Sequence, residues 1–270
     1  GSGSHSLSGT SGTLLDRDGT FTQGTSTVTV TSASGTATTL LTAATTFRNL
    51  TINPTSGMTV TAGAAITLDA SGNLSVTTGT LDDNGSQITC TATCTGTLTL
   101  ASGATLSLGS TSTATTFPAN YTTFSVNSAS TVVYKANAAT TISVTPTYGN
   151  LSLTPVLSTS GKTYDFAGAA TINGDFMINP SGDQLLTVNP AGTITVAATK
   201  TTTIQGSGSA TSSLDIHPGT SYNFSTGLLN IGAGGTLDGT SATSSITITG
   251  TTTSPILFIK TGTFTAGTST

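Results

Sequence analysis

Tryptophan and glutamate are both absent from this chain of 270 residues, which has only two cysteines, six Lys plus Arg, and ten acidic residues, every one of them Asp. Charged residues make up 6% of the sequence, against about 25% in ordinary soluble domains. So thin a charge leaves little scope for salt bridges or a long-range field, and a net charge of −4 argues against nucleic acid as a partner. The Ala, Glu, Lys and Leu runs that build helices are missing. No apolar stretch approaches the roughly 18 residues of a membrane-spanning helix; the longest, Ile256-Leu257-Phe258-Ile259, has the length of a strand. The opening Gly1-Ser2-Gly3-Ser4-His5-Ser6 has neither the basic start nor the apolar centre of a signal peptide. Export and anchoring signals are therefore expected outside this sequence.

What is present is Thr, Ser and Gly: 67, 35 and 32 residues. Disordered chains lack aliphatic and β-branched residues, whereas here Val, Ile and Leu alternate with Thr throughout, as in Thr27-Val28-Thr29-Val30, Thr97-Leu98-Thr99-Leu100, Thr193-Ile194-Thr195-Val196 and Ser245-Ile246-Thr247-Ile248. Such phrases recur every 8 to 12 residues between Ser-Gly, Asn-Gly and Pro-Ser-Gly turn signals. Period-two alternation at that rhythm predicts an all-β sandwich, barrel or solenoid.

The chain also repeats itself. Gly19-Thr20-Phe21-Thr22 and Gly24-Thr25-Ser26-Thr27 return without a gap as Gly262-Thr263-Phe264-Thr265 and Gly267-Thr268-Ser269-Thr270, an offset of 243 residues. Self-similarity at a fixed offset marks a repeat architecture. Inside that unit, Thr46-Phe47-Arg48-Asn49-Leu50-Thr51-Ile52 echoes Thr147-Tyr148-Gly149-Asn150-Leu151-Ser152-Leu153, and Ser26-Thr27-Val28 echoes Ser130-Thr131-Val132. The expected organisation is residues 1–18 as the end of a preceding repeat unit, 19–121 as a first β-repeat half, 122–261 as a second, and 262–270 as the start of the next unit. A smaller phrase, aliphatic then Asn or His then Pro, occurs at Asn53-Pro54, Asn179-Pro180, Asn189-Pro190 and His217-Pro218. Proline cannot donate to a ladder, so each is expected at a coil corner.

At these phrases a resemblance is visible. T-F-x-N-L-T-I-N at 46–53, G-T-L-x-L-x-S-G at 96–103 and G-T-F-T-x-G-T-S-T at 19–27 and 262–270 resemble the β-strand-repeat regions of large bacterial surface proteins, the hemagglutinin-like and autotransporter-like adhesins. The resemblance covers nearly the whole chain. It implies a right-handed parallel β-helix, a β-solenoid, presented outside the cell, and it carries no catalytic residues to transfer. Tandem Ig-like β-sandwiches are the alternative fold. They commonly need a buried Trp or Tyr anchor, and Trp is absent here.

Candidate sites are few. Cys90 and Cys94 are the candidate disulfide pair: a straight strand would hold their Cα atoms roughly 13 Å apart, so a bridge requires a tight turn at Thr91-Ala92-Thr93. Two free thiols in a solenoid turn are the other reading. The Asp residues are scattered and read as turn or strand-end residues: Asp69 and Asp238 after strand ends, Asp165 and Asp175 alternating with aromatics, Asp82-Asp83-Asn84-Gly85 as a turn. Asp16-Arg17-Asp18-Gly19 and Asp82-Asp83-Asn84-Gly85 place oxygen ligands next to a glycine but complete no calcium loop. His5 and His217 stand far apart, with His217 read as a turn residue.

Asn49, Asn73, Asn84, Asn120, Asn150 and Asn223 each begin an N-x-[ST] triplet, yet 13 Asn in a chain with 102 Ser or Thr give about five by chance. Stacking or capping Asn is the plainer account. Ice binding by T-x-T ladders would need that triplet at one fixed coil position, and its spacing in the sequence is irregular. No catalytic, metal or cofactor site is expected. The reading is a non-enzymatic structural repeat segment of a long extracellular cell-surface adhesin stalk or self-assembling filament, its partner itself through head-to-tail stacking, with surface glycans as a further partner. The alternative is a carbohydrate-binding or carbohydrate-cleaving β-helix.

Overall fold

The computed structural model describes residues 2–9, 12–31, 38–91, 93–216, 222–240, 244–250 and 258–265. Among these every regular element is a strand, and the parallel sheets stack as a β-solenoid of about 10 turns. The tandem-sandwich alternative is excluded, because the strand pairs are parallel throughout whereas a sandwich of that type is built from antiparallel sheets. The chain divides into two compact units, Gly1–Ser110 with Thr115–Val132, and Thr111–Ala114 with Val133–Thr270.

In the first unit one sheet runs in the order Ser4–Leu7, Thr27–Val30, Thr45–Ile52, Ile66–Val76, Cys94–Leu100, Tyr121–Val126. A second runs Thr13–Leu15, Thr38–Leu41, Thr59–Thr61, Thr80–Asp82, Thr105–Leu108. Alternation decides which side faces in. Val28, Leu50, Leu74 and Leu98 stack in register as one column, and Val30, Ile52, Val76 and Leu100 as another. All eight are buried, each burial contributing about 1.5–3 kcal/mol. Because the side-chain period is two, a slip of one residue would turn a whole column into solvent.

The two longest strands of this unit, Thr45–Ile52 and Ile66–Val76, bend around a corner without ending. Phe47 pairs with Leu68, but the next partners are Asn49 and Asn73, so Arg48 alone faces residues 69–72. The Arg48 guanidinium grips the bulge through Asp69 (3.0 Å) and the Ser71 hydroxyl. Gly72 and Gly96 permit the close stacking there: a Cβ on Gly72 would lie 2.4 Å from the Arg48 carbonyl oxygen, and one on Gly96 2.1 Å from that of Gly72.

The second unit is three-sided. One sheet holds Thr140–Ile142, Lys162–Phe166, Leu185–Asn189, Thr211–Asp215, Gly235–Asp238 and Thr263–Thr265. Another contains Asn150–Leu153, Phe176–Ile178, Thr201–Ile204, Leu228–Ile231 and Phe258–Lys260. A third holds Ala170–Ile172, Ile194–Val196, Phe224–Thr226 and Ile246–Ile248. The inner columns include Leu153, Ile178, Ile204 and Ile231. One inner rung is polar: buried Thr202 and Thr226 share a 2.9 Å hydroxyl contact, and Thr226 donates to the Leu228 carbonyl. Of the Asn-Pro phrases, Asn53-Pro54, Asn179-Pro180 and Asn189-Pro190 sit where a strand closes into a corner; His217-Pro218 lies outside the described residues.

Candidate binding face and the polar groups of the coils

The parallel register that buries the aliphatic columns turns the intervening residues outward as columns of their own. On the first sheet of the first unit, Ser4, Thr27, Asn49, Asn73, Thr97 and Thr123 stand in line, and so do Ser6, Thr29, Thr51, Ser75, Thr99 and Ser125. A third line follows the strand ends, where the backbone N–H groups of Thr31, Asn53, Thr77, Ala101 and Asn127 each bond to the preceding rung. None of these 17 residues is charged. Neighbours lie about 4.8 Å apart across the strands and about 6.7 Å apart along them. In register, T-x-T fills this position in two of the six rungs, Thr27-Val28-Thr29 and Thr97-Leu98-Thr99, while the other rungs carry Ser or Asn at one or both places. Coil lengths vary by residues taken up at the corners, while the strands stay in register.

The corner asparagines are structural rungs. The Asn49 side-chain oxygen accepts from the Asn73 backbone N–H (3.2 Å) and the Asn73 amide (2.8 Å), and Asn73 in turn accepts from the Thr97 N–H (2.8 Å). In the second unit Asn150 accepts from the Asp175 N–H (2.8 Å), and Asp175 from the Thr201 N–H (2.9 Å). Asn223 receives the Ser245 N–H and hydroxyl. Each satisfies a backbone donor where the ladder is interrupted, a hydrogen bond worth about 0.5–1.5 kcal/mol. The phrase T-[FY]-x-N-L-[ST]-[IL] is thus one corner used in both units: a buried aromatic (Phe47 or Tyr148), a residue at the bend, an asparagine rung, then the next flat stretch, which continues the same strand in the first unit and is a strand of its own in the second. Asn84 differs, lying exposed in a turn with φ of 48°.

The carboxylates are dispersed apart from the adjacent Asp82 and Asp83 and the stacked Asp215 and Asp238. Asp16 accepts from the Thr42 hydroxyl, Asp69 pairs with Arg48 inside a strand rather than after one, and Asp165 accepts from the Asn189 amide. Asp238 closes its strand in register with Asp215. Among the described residues no group of three or more His, Cys, Asp or Glu side chains is placed to hold a metal ion. His5 is exposed on its strand, and His217 is outside the described residues.

Asp83 is the residue that sequence reasoning missed. Within the turn Asp82-Asp83-Asn84-Gly85 it is fully buried. One carboxylate oxygen accepts from the N–H groups of Gly85 (2.9 Å) and Gly109 (2.7 Å), the other from the Thr115 hydroxyl. Burial raises its pKa above the usual 3.8 despite those three donors. The group ties the residues after Leu108 back onto the coil, helped by Gln87, whose amide brackets the Thr116 backbone from both sides (2.9 and 3.0 Å).

Cys90 and Cys94 are joined in a disulfide with Cα atoms 6.0 Å apart, closing the tight turn between Ile88–Cys90 and Cys94–Leu100. In the second unit the buried polar groups include three phenols besides the rung of Thr202 and Thr226. The Tyr134 and Tyr148 hydroxyls meet at 3.1 Å, Tyr148 donates to the Ser143 carbonyl and Tyr164 to that of Ala136. Burial raises the pKa of both Tyr148 and Tyr164, so they stay neutral hydrogen-bonding struts. No protein-family model, curated protein or solved structure matches the chain.

Proposed function

We propose that this chain is a non-enzymatic structural segment of a long extracellular repeat protein, a cell-surface adhesin stalk or self-assembling filament. The observation that carries the reading is the register of the strands: aliphatic columns inside, hydroxyl and amide columns outside, and interruptions of the ladder such as the one after Phe47 closed by an asparagine or aspartate rung. In a solenoid each coil buries its inner face against its neighbours, so stability accumulates along the stack. A surface with so few ions owes little to salt-sensitive pairs, which suits a rod exposed to a changing medium.

The carboxylates support this reading too, since most are committed to a neighbour within the coil. Catalysis on a glycan usually needs two facing one groove at about 5–9.5 Å. Incubation with a panel of polysaccharides is expected to release no new reducing ends and no unsaturated products. Turnover that a single Asp→Asn change abolishes would overturn the proposal.

A second reading, a carbohydrate-binding solenoid, draws support from the uncharged outward face of the first unit. Its test is retention on insoluble polysaccharide that is lost when Thr29, Thr51 and Thr99 are replaced together by Lys.

A further inference from the structure

We infer that the groove between residues 87–89 and 116–120 of the first unit is a binding site for a neutral saccharide. The inference rests on the carbohydrate-binding reading and deepens it, naming a site apart from the outward columns.

The groove lies where the ladder loses a rung. Thr46, Thr67 and Thr89 stack in register, and among the described residues no strand pairs with the far edge of Ile88–Cys90. Along a parallel strand each residue turns its N–H and C=O to one side and the next residue to the other. The Gln87 carbonyl accepts from the Ile66 N–H (3.3 Å), and the Thr91 N–H donates to the Leu68 carbonyl (2.9 Å). Ile88 and Cys90 therefore direct their backbone groups away from Ile66–Val76, to the open edge. Side-chain amides cap both carbonyls there: Gln87 donates to that of Ile88 (2.8 Å) and Asn120 to that of Cys90 (2.8 Å). What the edge still offers is a pair of N–H donors, so the ligand must bring oxygen acceptors.

The groove has a volume of about 410 Å³, within the roughly 300–1,000 Å³ of small-ligand sites. Its floor is apolar and buried, made by Ile88, Phe117 and Pro118. Around it stand the hydroxyls of Thr89 and Thr116 and the amides of Gln87 and Asn120, all at least partly exposed. None of the lining residues is charged, so nothing here offsets the cost of stripping water from a carboxylate, sulfate or ammonium group. A sugar ring has the matching surface: a C–H face for the floor, and uncharged oxygens at its edge for the N–H, amide and hydroxyl groups. A peptide strand on the same edge fits less well. Its alternate side chains would point inward in line with Ile88 and Cys90, an interior that Phe117 fills. That ring is buried 5.8 Å from Phe124, which stacks in register on Leu98.

The test is an NMR titration of the isotope-labelled full chain with cellotetraose, mannotetraose and N-acetylchitotetraose. Tetragalacturonate and a neutral peptide, Ala-Thr-Val-Thr-Ala, serve as competitors of other chemistry. At least one neutral sugar is expected to bind at millimolar concentration or below and to shift the backbone amides of Ile88, Cys90, Thr116 and Asn120. Tetragalacturonate and the peptide should bind about tenfold more weakly or worse. Ala119→Trp, which fills the groove from its partly exposed wall, should weaken sugar binding by about tenfold or more. If that variant loses the amide pattern of the folded chain, Thr116→Trp at the exposed rim takes its place, and if both do, the shifts on the intact chain decide. No shift at the groove with any neutral sugar, tighter binding of tetragalacturonate or the peptide, or sugar binding that a folded groove variant leaves unchanged would each overturn the inference. Sugar shifts confined to the columns of Thr29, Thr51 and Thr99 would overturn the groove and leave the carbohydrate-binding reading standing. No shift anywhere, with no retention on insoluble polysaccharide, would sink both.

Discussion

The two units turn the same corner by different covalent routes. In the first, a single strand runs through the bend, as in Ile66–Val76, and its bulge is held by an ion pair and closely stacked glycines. In the second, the strand stops and a new one begins, as from Ala170–Ile172 to Phe176–Ile178. Both place an aromatic inside and an amide or carboxylate oxygen over the next coil's N–H. What the fold requires at a corner is therefore a filled interior and a satisfied donor, not a particular chain path. Their interiors differ in a second way. Both bury phenols, Tyr121 in the first and Tyr134, Tyr148 and Tyr164 in the second, but the first also buries a carboxyl, Asp83.

The largest test of that equivalence is to empty the corner. Phe47→Ala and Tyr148→Ala should each cost about 3–5 kcal/mol, with Tyr148→Ala the worse, since it also removes the partner of the Tyr134 hydroxyl. Segment-resolved hydrogen exchange should place the loss in the first unit for Phe47→Ala and in the second for Tyr148→Ala. Equal loss in both units from either change would show that they unfold as one.

Asp83→Ala comes next, at about 3 kcal/mol, because three donors, two of them buried, lose their acceptor. Asp83→Asn keeps an acceptor for the two glycine N–H groups and isolates the ionisation. The folded pKa of Asp83 is raised above its unfolded 3.8, so the folded state holds the proton more tightly. Its contribution is then greatest below the unfolded value and falls as pH rises through the raised one. Urea unfolding of the first unit should show that decline, Asp83→Asn should remove it, and the second unit should lack it. A first unit that gains stability over the same window would reverse the assignment.

Replacing Cys90 and Cys94 together by Ser should cost about 2 kcal/mol or less, since the loop it closes is short. Mass analysis before and after reduction measures the bridge itself. The smallest effects belong to the rungs: Asn49→Ala and Asn150→Ala should each cost about 1–2 kcal/mol. If only one of them matters, the two corners are not equivalent.

Much of this architecture was readable from alternation. Thr27-Val28-Thr29-Val30 and Thr97-Leu98-Thr99-Leu100 announce strands with one buried face, and the N-L-[ST]-[IL] echo marks a repeated element. That Asn49 and Asn150 serve as rungs was half legible, since stacking Asn had been the plainer reading of the sequons. Asp83 was not legible: Asp-Asp-Asn-Gly has the composition of a solvated turn, and its burial depends on Thr115, 32 residues away. The outward columns were hidden for a different reason. Partners such as Thr27 and Asn49, or Thr97 and Thr123, stand at unequal sequence distances, so no fixed period exposes them.

Because the flats hold register and the corners absorb length, insertions and deletions should be tolerated very unevenly along the gene. One codon gained in Ser75 or Thr99 would invert every side chain beyond it in that strand, sending apolar groups outward and hydroxyls inward. The same codon gained among residues 69–72 would only enlarge a bulge already there. Length polymorphism between related copies should therefore cluster at the bends, leaving the strand segments as the part by which such copies can still be aligned.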